Sequence, residues 1–279
     1  MYTIVTKEKL SPVIDFMKVK APAIARKAKP GQFVIIRVDD VGERIPLTLA
    51  DWDDKEGTIS LVAMQVGTST YKLAYLNAGE HILNLVGPLG LPSEIEKFGT
   101  VVCVGGGVGV APVFPIARAL KQAGNKVISI IGARSRDLLF WEERLRSVSD
   151  ELTVTTDDGS YARKGLVTEP LKEVLEKYKQ VNRVIAIGPA IMMKFCSLTT
   201  KPFGVKTIVS LNSIMVDGTG MCGCCRVSVG GVTKFVCVDG PEFDGHEVDW
   251  NLLFNRQRIY CDEEKSSLES WKSCHCQSA

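Results

Sequence analysis

The first third of the chain carries short apolar runs, separated by turn-forming residues, that are too brief for helices. Pro30-Gly31-Gln32, for example, forms a turn before the run FVIIRV, which suits a buried strand. Several short strands with regular turns are typical of a small β barrel or sandwich. A single short helix, from Ser69 to Asn77, interrupts them. The predicted strands are Thr3–Lys7, Ile14–Lys20, Phe33–Val38, Arg44–Ala50, Ile59–Met64 and His81–Val86.

The middle third alternates strand-length apolar runs with helix-length segments. Such alternation predicts a parallel sheet with helices on both faces, so the expected fold class is a β barrel or sandwich followed by an α/β domain. The predicted strands are Val101–Val104, Val127–Ile131, Leu152–Thr155, Val184–Ile187 and Lys206–Leu211. The predicted helices are Val113–Gln122, Asp137–Arg146, Thr168 to about Tyr178, and Ala190–Leu198.

From residue 212 onward the pattern changes to a glycine-rich loop, a hairpin and a polar tail. Gly230-Gly231 separates the β-branched runs Arg226–Val229 and Thr233–Val236, which predicts a hairpin with Val229 opposite Val232. We therefore expect four parts: a β barrel or sandwich in residues 1–97, an α/β domain in 98–211, a loop and hairpin in 212–250, and a tail in 251–279.

Composition restricts the class of protein without identifying it. The 279 residues are 45% hydrophobic and 24% charged, which is ordinary for a soluble protein with two domains. A net charge of +2 gives no reason to expect nucleic-acid binding, and no apolar run is long enough to span a membrane. Nine cysteines without a preceding signal peptide favour a reducing compartment, so we expect a cytoplasmic protein.

Four candidate metal ligands lie in the glycine-rich loop and just after the hairpin. The spacing is Asp217-x4-Cys222-x2-Cys225, and Cys237 follows after eleven residues. Plant-type iron–sulfur sites use C-x4-C-x2-C with a distant fourth cysteine, so this spacing predicts a [2Fe-2S] site with an aspartate in the first position. The hairpin returns Cys237 to the loop. It does not by itself choose between Cys224 and Cys225, although the spacing favours Cys225.

Three other interpretations of these residues stay open at this point. The same four ligands would suit zinc, because C-x2-C is also a zinc spacing. The cysteines could instead form disulfides, or they could be inert.

Two stretches of the first third have the chemistry of a phosphate-binding or ring-binding site. Arg44-Ile45-Pro46-Leu47-Thr48 places a fixed cation beside a proline and a hydroxyl. Gly67-Thr68-Ser69-Thr70 opens the short helix with backbone N–H groups and three hydroxyls, which suit a phosphate. The ordinary alternatives are a solvated arginine in a strand and a plain helix cap.

Four loops fall at the carboxyl ends of the predicted parallel strands, where ligands bind in such sheets. They are Gly105–Gly109, Gly132–Arg136, Thr156–Ser160 and Gly188–Met192. The first of them forms a strand, glycine turn and helix, an arrangement that can hold a pyrophosphate at the helix N-terminus. Arg134 and Arg136 could bind a 2′-phosphate and so favour NADP, but arginines in loops are more often simply solvated.

Together these motifs resemble the ferredoxin reductase superfamily. The barrel matches through R-x-P-L-T, V-G-T-S-T and Gly87-Pro88-Leu89-Gly90, and the α/β domain through GGG-x-G-x-AP and G-P-x-x-M. The resemblance implies FAD in the barrel and NAD(H) in the α/β domain. Many members carry an aromatic residue at the position of Leu47 and a cysteine at that of Ile187. The implied cofactor contacts are Arg44, Pro46, Leu47, Thr48, Met64, Gly67, Thr68, Ser69 and Thr70 in the barrel, and Gly106, Gly107, Gly109, Val110, Arg134, Asp158, Gly188, Pro189 and Met192 in the α/β domain.

The order of the parts narrows the resemblance to one family. The chain resembles the small, NAD-binding subunit of NADH-dependent reduced ferredoxin:NADP oxidoreductases, which perform flavin-based electron bifurcation. Asp217 is the most specific feature, because that family uses an aspartate with three cysteines. The electron-transfer subunit of dihydroorotate dehydrogenase is similar but carries a cysteine there, and a sulfide-dehydrogenase-like subunit is a further alternative.

This resemblance implies an oxidoreductase subunit that carries FAD, a [2Fe-2S] cluster and NAD(H). It also implies a heterodimer with a larger flavin and iron–sulfur subunit, through which electrons reach ferredoxin. The alternative from another class is a zinc-stapled, nucleotide-binding regulatory module.

The polar tail holds a second set of possible donors: Cys261, Cys274, His275 and Cys276. Their short spacing and late position favour a loose tail without a ligand role. Trp271 indicates that the tail docks on another surface, such as that of a partner chain.

Overall fold

The computed structural model describes residues 1–275, and the first seven strands form one antiparallel sheet. The elements of this part are β1 (Tyr2–Ser11), β2 (Ile14–Lys20), α1 (Pro22–Ala25), β3 (Phe33–Arg37), β4 (Arg44–Asp53), β5 (Thr58–Met64), α2 (Thr68–Tyr75), β6 (His81–Ile82) and β7 (Asn84–Leu89). The strand order is β6-β1-β2-β5-β4-β3-β7. Because β6 and β7 end opposite edges of the sheet but are separated only by Leu83, the sheet bends into a nearly closed barrel.

The second sheet is the predicted parallel one. Its elements are β8 (Thr100–Gly106), α3 (Val110–Gln122), β9 (Lys126–Ala133), α4 (Glu142–Ser147), β10 (Glu151–Thr156), β11 (Arg163–Lys164), α5 (Thr168–Lys177), β12 (Arg183–Ile187), α6 (Ala190–Thr200) and β13 (Thr207–Ser210). The order β11-β10-β9-β8-β12-β13 places the first strand in the middle. The fold class predicted from the sequence, a β barrel plus an α/β domain, is confirmed.

The cysteine-rich region is fixed to the edge of this second sheet. Its elements are β14 (Arg226–Val229), β15 (Val232–Phe235), α7 (Val236–Asp239), β16 (Glu242–Asp244), α8 (Trp250–Gln257) and α9 (Cys261–His275). The hairpin β14–β15 has Val229 opposite Val232, which confirms the predicted register. β16 pairs antiparallel with β13, with Phe243 opposite Val209, and therefore extends the second sheet by one strand.

Two apolar cores join the barrel to the second sheet, one on each face of that sheet. On one face Phe33 of β3 belongs to the same buried cluster as Val104 of β8 and Cys225 of the cysteine region. On the other face Phe16 of β2 packs in one cluster with Phe114 of α3. Burial on both faces fixes the position of the barrel relative to the ends of the parallel strands.

Some predicted elements differ from those observed, for local reasons. The predicted helix Asp137–Arg146 begins only at Glu142, because Trp141 has a φ of 57° and cannot continue a right-handed helix. The Trp141 ring packs edge-on against Phe114 and other aromatic rings, with ring centroids 5.8 Å apart. The predicted strand His81–Val86 is split at Leu83, whose N–H donates to the Val38 carbonyl instead.

The prediction of a loose tail is wrong for residues 261–275, which form α9. The docking of Trp271 occurs on this chain itself, against Tyr71 and Tyr75 of α2, with ring centroids 5.9 and 5.2 Å away. Cys276, named with the second donor set, lies outside the described residues.

Candidate functional site

The glycine turn after β8 packs directly against the loop after β12, since the two strands are neighbours in the sheet. A Cβ atom on Gly106 would stand 2.2 Å from Met192 Sδ, and one on Gly109 would stand 2.2 Å from the Ile187 carbonyl oxygen. At Gly109 the obstructing atom belongs to the backbone, so only glycine permits the approach there. The chain order reverses between β8 and β12, and such a switch point is where dinucleotides bind in α/β sheets.

The other predicted residues of this domain lie at different depths around the switch point. Gly107 has a φ of 54° and open space where a side chain would stand, whereas Val110 is buried at the start of α3. Pro189 is the N-cap of α6. Arg134 and Asp158 are exposed after β9 and β10, and the Asp158 N–H donates to the Arg134 carbonyl at 3.1 Å. These two residues lie on adjoining loops at the same edge of the sheet.

A cleft of about 1130 Å³ runs between the barrel, the second sheet and the C-terminal helices. Small-molecule pockets span roughly 300–1,000 Å³, so this one has room for a dinucleotide. Phe33, opposite Thr48 in the β3–β4 pair, also lines it. The predicted residues that line the cleft are Arg44, Pro46, Leu47, Thr48, Met64, Gly67, Thr68, Ser69, Thr70, Gly109 and Gly188.

The first turn of α2 faces this cleft, but its three hydroxyls do not play the same part. Thr70 Oγ1 accepts hydrogen bonds from the N–H groups of Val66 and Gly67, each at 3.0 Å. Thr70 thus caps the helix, as the ordinary alternative expected. Thr68 and Ser69 line the cleft where the first N–H groups of a helix have no helical acceptors.

The cysteine loop turns on three glycines in the left-handed region. Gly218, Gly220 and Gly223 have φ values of 83°, 89° and 68°. Side chains rarely adopt these angles, so glycine is required by conformation. Such turns direct backbone N–H groups toward a common concave side, which suits anionic sulfur or oxygen.

The four predicted ligands have contrasting surroundings. Cys225 and Cys237 are buried, with their sulfur atoms 3.2 Å apart, so the hairpin does return Cys237 to the loop. Burial raises the pKa of Cys237 to about 12. Cys222 is exposed, and the N–H groups of Cys224 and Asp217 lower the pKa of its thiol by stabilising the thiolate.

Asp217 links the cysteine loop to the cleft. Its Oδ2 accepts hydrogen bonds from Thr219 Oγ1 at 2.5 Å, from the Thr219 N–H at 2.8 Å and from the Met221 N–H at 3.3 Å. The Thr219 hydroxyl contributes most to a lowered pKa of Asp217, and the positive charge of Arg44 adds to the effect. The arginine that lines the cleft therefore also acts electrostatically on the loop.

The arrangement of donors bears on the choice of metal. Within residues 1–275, no three donor side chains converge as they would around a single ion. Zinc requires four donors around one point. A [2Fe-2S] cluster divides four ligands between two irons, and the close pair Cys225 and Cys237 matches half of such a set. Cys225 and Cys237 thus fit the two positions on one iron of such a cluster.

Cys224, the alternative ligand, lies beside Cys222. A hydrogen bond between the two thiols raises the pKa of Cys224. The carbonyl of Cys224 accepts from Arg256 Nη2 at 2.9 Å, so α8 anchors this end of the loop. All cysteines of the described range are free thiols.

One wall of the cleft was missed by sequence reasoning, because the tail was expected to be loose. Ser267 Oγ lies 2.9 Å from Thr68 Oγ1, which brings α9 onto the first turn of α2. A signal was present: positions 260, 264, 267 and 271 follow helical spacing and fall on one face. The residues of α9 and of the turn before it that line the cleft are Tyr260, Glu263, Glu264 and Ser267.

The barrel, the parallel sheet, the shared cleft and the cysteine loop define a ferredoxin-reductase-like oxidoreductase subunit with an iron–sulfur domain. Residues 103–197 match the oxidoreductase NAD-binding domain, and residues 212–249 match the iron-sulfur cluster binding domain of dihydroorotate dehydrogenase B.

Whole-chain comparison gives the family. The chain is 51% identical over 267 residues to the dihydroorotate dehydrogenase B (NAD(+)), electron transfer subunit homolog of Thermotoga maritima, covering 95% of this chain and 94% of that protein. It is 35% identical over 221 residues to the probable dihydroorotate dehydrogenase B electron transfer subunit of Methanopyrus kandleri, with 79% and 81% covered. The chain belongs to the family of dihydroorotate dehydrogenase B electron-transfer subunits and their homologues.

A solved structure adds to this assignment. A chain of the NADH-dependent reduced ferredoxin-NADP oxidoreductase structure superimposes with a TM-score of 0.92 at 48% identity, covering 97% of this chain and 98% of that chain. The resemblance predicted from the motifs is thereby confirmed. In the part of the chain described, no helix has both the length and the apolar composition needed to cross a bilayer.

Proposed function

We propose that this chain is the electron-transfer subunit of an electron-bifurcating, NADH-dependent ferredoxin:NADP oxidoreductase, with FAD in the cleft and a [2Fe-2S] cluster in the cysteine loop. The observation that carries the proposal is that residues of the barrel, the second sheet and the segment before the cysteine loop all line the same cleft. It is lined by Arg44–Thr48 of the barrel, by the glycines Gly109 and Gly188, and by residues 210–216, which lead into the cysteine loop. One ligand there adjoins both a nicotinamide site and a cluster.

The barrel residues would hold the flavin. Arg44 and the first turn of α2 supply positive charge and N–H donors for its phosphates. The backbone and side chains of Pro46, Leu47 and Thr48, with Met64, form the wall for the ring. Bound FAD supplies the exchange between a two-electron hydride and single electrons.

The second sheet would hold NAD(H) at its switch point. Gly106, Gly109 and Gly188 allow the two loops to approach, and the adjoining first turn of α3 presents N–H groups to phosphate. Arg134 and Asp158, exposed on the neighbouring loops, would contact the distant half of the dinucleotide.

The cysteine loop would hold the cluster through Asp217, Cys222, Cys225 and Cys237. We assign Cys225 and Cys237, whose sulfur atoms are adjacent, to one iron, and Asp217 with Cys222 to the other. The backbone N–H groups of the loop that donate hydrogen bonds to Cys222 and Asp217 would stabilise the negative charge of these ligands. The segment 210–216, which lines the cleft and leads into the cysteine loop, would thus join the flavin site to the cluster site.

A larger partner subunit would complete the enzyme and pass electrons to ferredoxin. Relatives of this chain are named electron-transfer subunits, which supports a complex. Met221 of the cysteine loop is 88% exposed, and Val216 and Val238 beside it are also exposed, so this rim suits burial against a partner. We place such a complex in the cytoplasm, and we retain the four-part division of the chain.

A second candidate function is electron transfer to a dihydroorotate dehydrogenase, favoured by the names of several relatives. The two functions differ in what the purified complex reduces or oxidises. Reduction of NAD+ by dihydroorotate would support this alternative. Oxidation of NADPH coupled to reduction of both NAD+ and oxidised ferredoxin would support bifurcation.

The test of the cofactor assignment is a visible and EPR spectrum of anaerobically purified protein, with Asp217→Ala and Cys224→Ala compared with the wild type. We expect flavin bands and a reducible S = 1/2 signal that changes in Asp217→Ala but not in Cys224→Ala. A signal that responds only to Cys224→Ala would move the fourth ligand. A colourless zinc protein would overturn the proposed function.

A further inference from the structure

We infer that α9 forms the adenosine-binding wall of the flavin cleft, with Tyr260 and Glu264 as FAD-binding residues. This inference rests on the proposed function and extends it to a segment that the cofactor motifs do not cover. Neither domain match extends beyond residue 249, and α9 begins only at Cys261.

The helix is anchored on the element that opens the cleft. Trp271 packs against Tyr71 and Tyr75 of α2, and Lys272 Nζ lies 4.7 Å from the centre of the Tyr71 ring. Four residues earlier, Ser267 Oγ lies 2.9 Å from Thr68 Oγ1. α9 therefore adjoins the first turn of α2, where we place the FAD phosphates.

The side chains of this wall suit a nucleoside and not a phosphate. Tyr260 offers an aromatic ring that is 52% exposed and faces the cleft, and such a ring can stack on a purine base. The carboxylates of Glu263 and Glu264, which line the cleft, can accept hydrogen bonds from sugar hydroxyls, whereas their negative charge would repel phosphate. The opposite wall carries the cation, Arg44.

The backbone places Tyr260 and Glu264 on the same face of the helix. The Glu264 N–H donates to the Tyr260 carbonyl at 2.8 Å, so the ring and the carboxylate lie one helical turn apart on the same face. The anchor Trp271 lies on that face as well. Trp271 is thus a positioning residue, because it packs on α2 outside the lining of the cleft and holds Tyr260 and Glu264 against it.

The inference predicts a difference between two flavins. FAD and FMN share the ring, the ribityl chain and the first phosphate, but only FAD has the adenosine half. Loss of the α9 wall should therefore weaken FAD binding and leave FMN binding unchanged. A helix that merely shields the cleft would affect both flavins alike.

The experiment measures the dissociation constants of FAD and FMN by fluorescence titration of the flavin-depleted, otherwise complete protein. We expect Tyr260→Ala and Trp271→Ala each to raise the Kd for FAD about tenfold, the equivalent of one lost contact of moderate strength, with the Kd for FMN unchanged. Trp271→Phe should restore FAD affinity because it keeps the aromatic packing. The matched control is Lys265→Ala, since Lys265 is 74% exposed and pairs with Asp262 of the same helix.

The outcomes separate the inference from the proposed function. Equal losses for FAD and FMN, or an unchanged FAD affinity in Tyr260→Ala, would overturn the adenosine wall while leaving FAD in the cleft. Failure of the wild-type protein to bind either flavin would overturn the proposed function itself. Tyr260 is half exposed, so Tyr260→Ala gives a reading even if Trp271→Ala disturbs the helix.

Discussion

Two glycine-rich segments border the cleft, and they need glycine for different reasons. In the turn after β8, Gly109 has an ordinary φ of −64°, but a Cβ there would stand 2.2 Å from a backbone oxygen. In the cysteine loop, Gly223 has a φ of 68°, yet a Cβ at that position would have its nearest neighbour 3.7 Å away. At Gly109 the turn lacks room for a side chain, whereas at Gly223 the loop lacks an allowed conformation for other residues.

The comparison shows what each segment does. The glycine turn after β8 contacts the loop after β12, and this contact holds the ends of the two strands together. A side-chain atom added at Gly109 would push β12 away from the turn. The cysteine loop encloses its own donors, and an atom added at Gly223 strains only the loop. Substitutions that exploit this contrast should differ in size and in where their effect is observed.

The largest effect is expected from Gly109→Ala. The backbone at Ile187 cannot yield as a flexible side chain would, so overpacking should destabilise the protein by about 3 kcal/mol. Thermal unfolding, with reduction of bound flavin by NADH as a second readout, checks this. Gly106→Ala is the matched control, because its Cβ would meet the flexible end of Met192, and its effect should be smaller. Equal stability losses in the two variants would contradict the role assigned to backbone contact.

A smaller effect is expected at Glu242 of β16, the strand by which the cysteine-rich region pairs with the second sheet. Its carboxylate accepts from Ser93 Oγ at 2.5 Å. Burial raises the pKa of Glu242 to about 7 from an ordinary value of 4.5, although Ser93 and Arg183 oppose the change and Glu94 adds to it. Between these values the native protein keeps a proton that the unfolded chain releases. The free energy of unfolding should therefore fall as pH rises from 4.5 to about 7.

Glu242→Gln should remove this pH dependence, because the amide stays neutral. We expect it to stabilise the protein by about 2 kcal/mol at a pH of about 8 and to change little at a pH of about 5. Chemical denaturation at the two pH values measures the difference. The same gain at both would show that burial of charge is not the cause.

Gly223→Ala should have a modest effect confined to the cysteine loop. The left-handed conformation costs an alanine about 1 kcal/mol, and there is room for its methyl group. We expect a small change in the EPR signal of the cluster and nearly unchanged reduction of flavin by NADH. Loss of NADH-dependent reduction in this variant would mean that the two segments are not independent.

The smallest effect on stability is expected from Gly67→Ala in the barrel. Gly67 has a φ of −141°, and no atom lies within 4 Å of the position of a Cβ. Unfolding free energy should change by no more than about 0.5 kcal/mol. Because Gly67 lines the cleft, weaker FAD binding at unchanged stability would show that glycine is kept there for the ligand.

Prediction from sequence succeeded where the signal was local. The glycine pair predicted the hairpin register, and strand–helix alternation predicted the parallel sheet. It failed at Trp141, whose ring is drawn into an aromatic cluster with residues of other elements. It also failed for α9, because this helix is mostly polar and contains few apolar residues. The regular spacing of positions 260, 264, 267 and 271 on one face was therefore overlooked.

The sequence by itself determined the order of the parts, the loops at the strand ends and the spacing of Asp217 and the cysteines, because turn chemistry and periodicity act over a few residues. Only the tertiary structure decided which of these segments meet. Arg44 acts on Asp217, the glycine turn of β8 packs against Ile187, and α9 closes the cleft over α2. These interactions, one electrostatic and two by packing, join residues far apart in the chain, and burial in shared cores, which no local pattern records, brings them together.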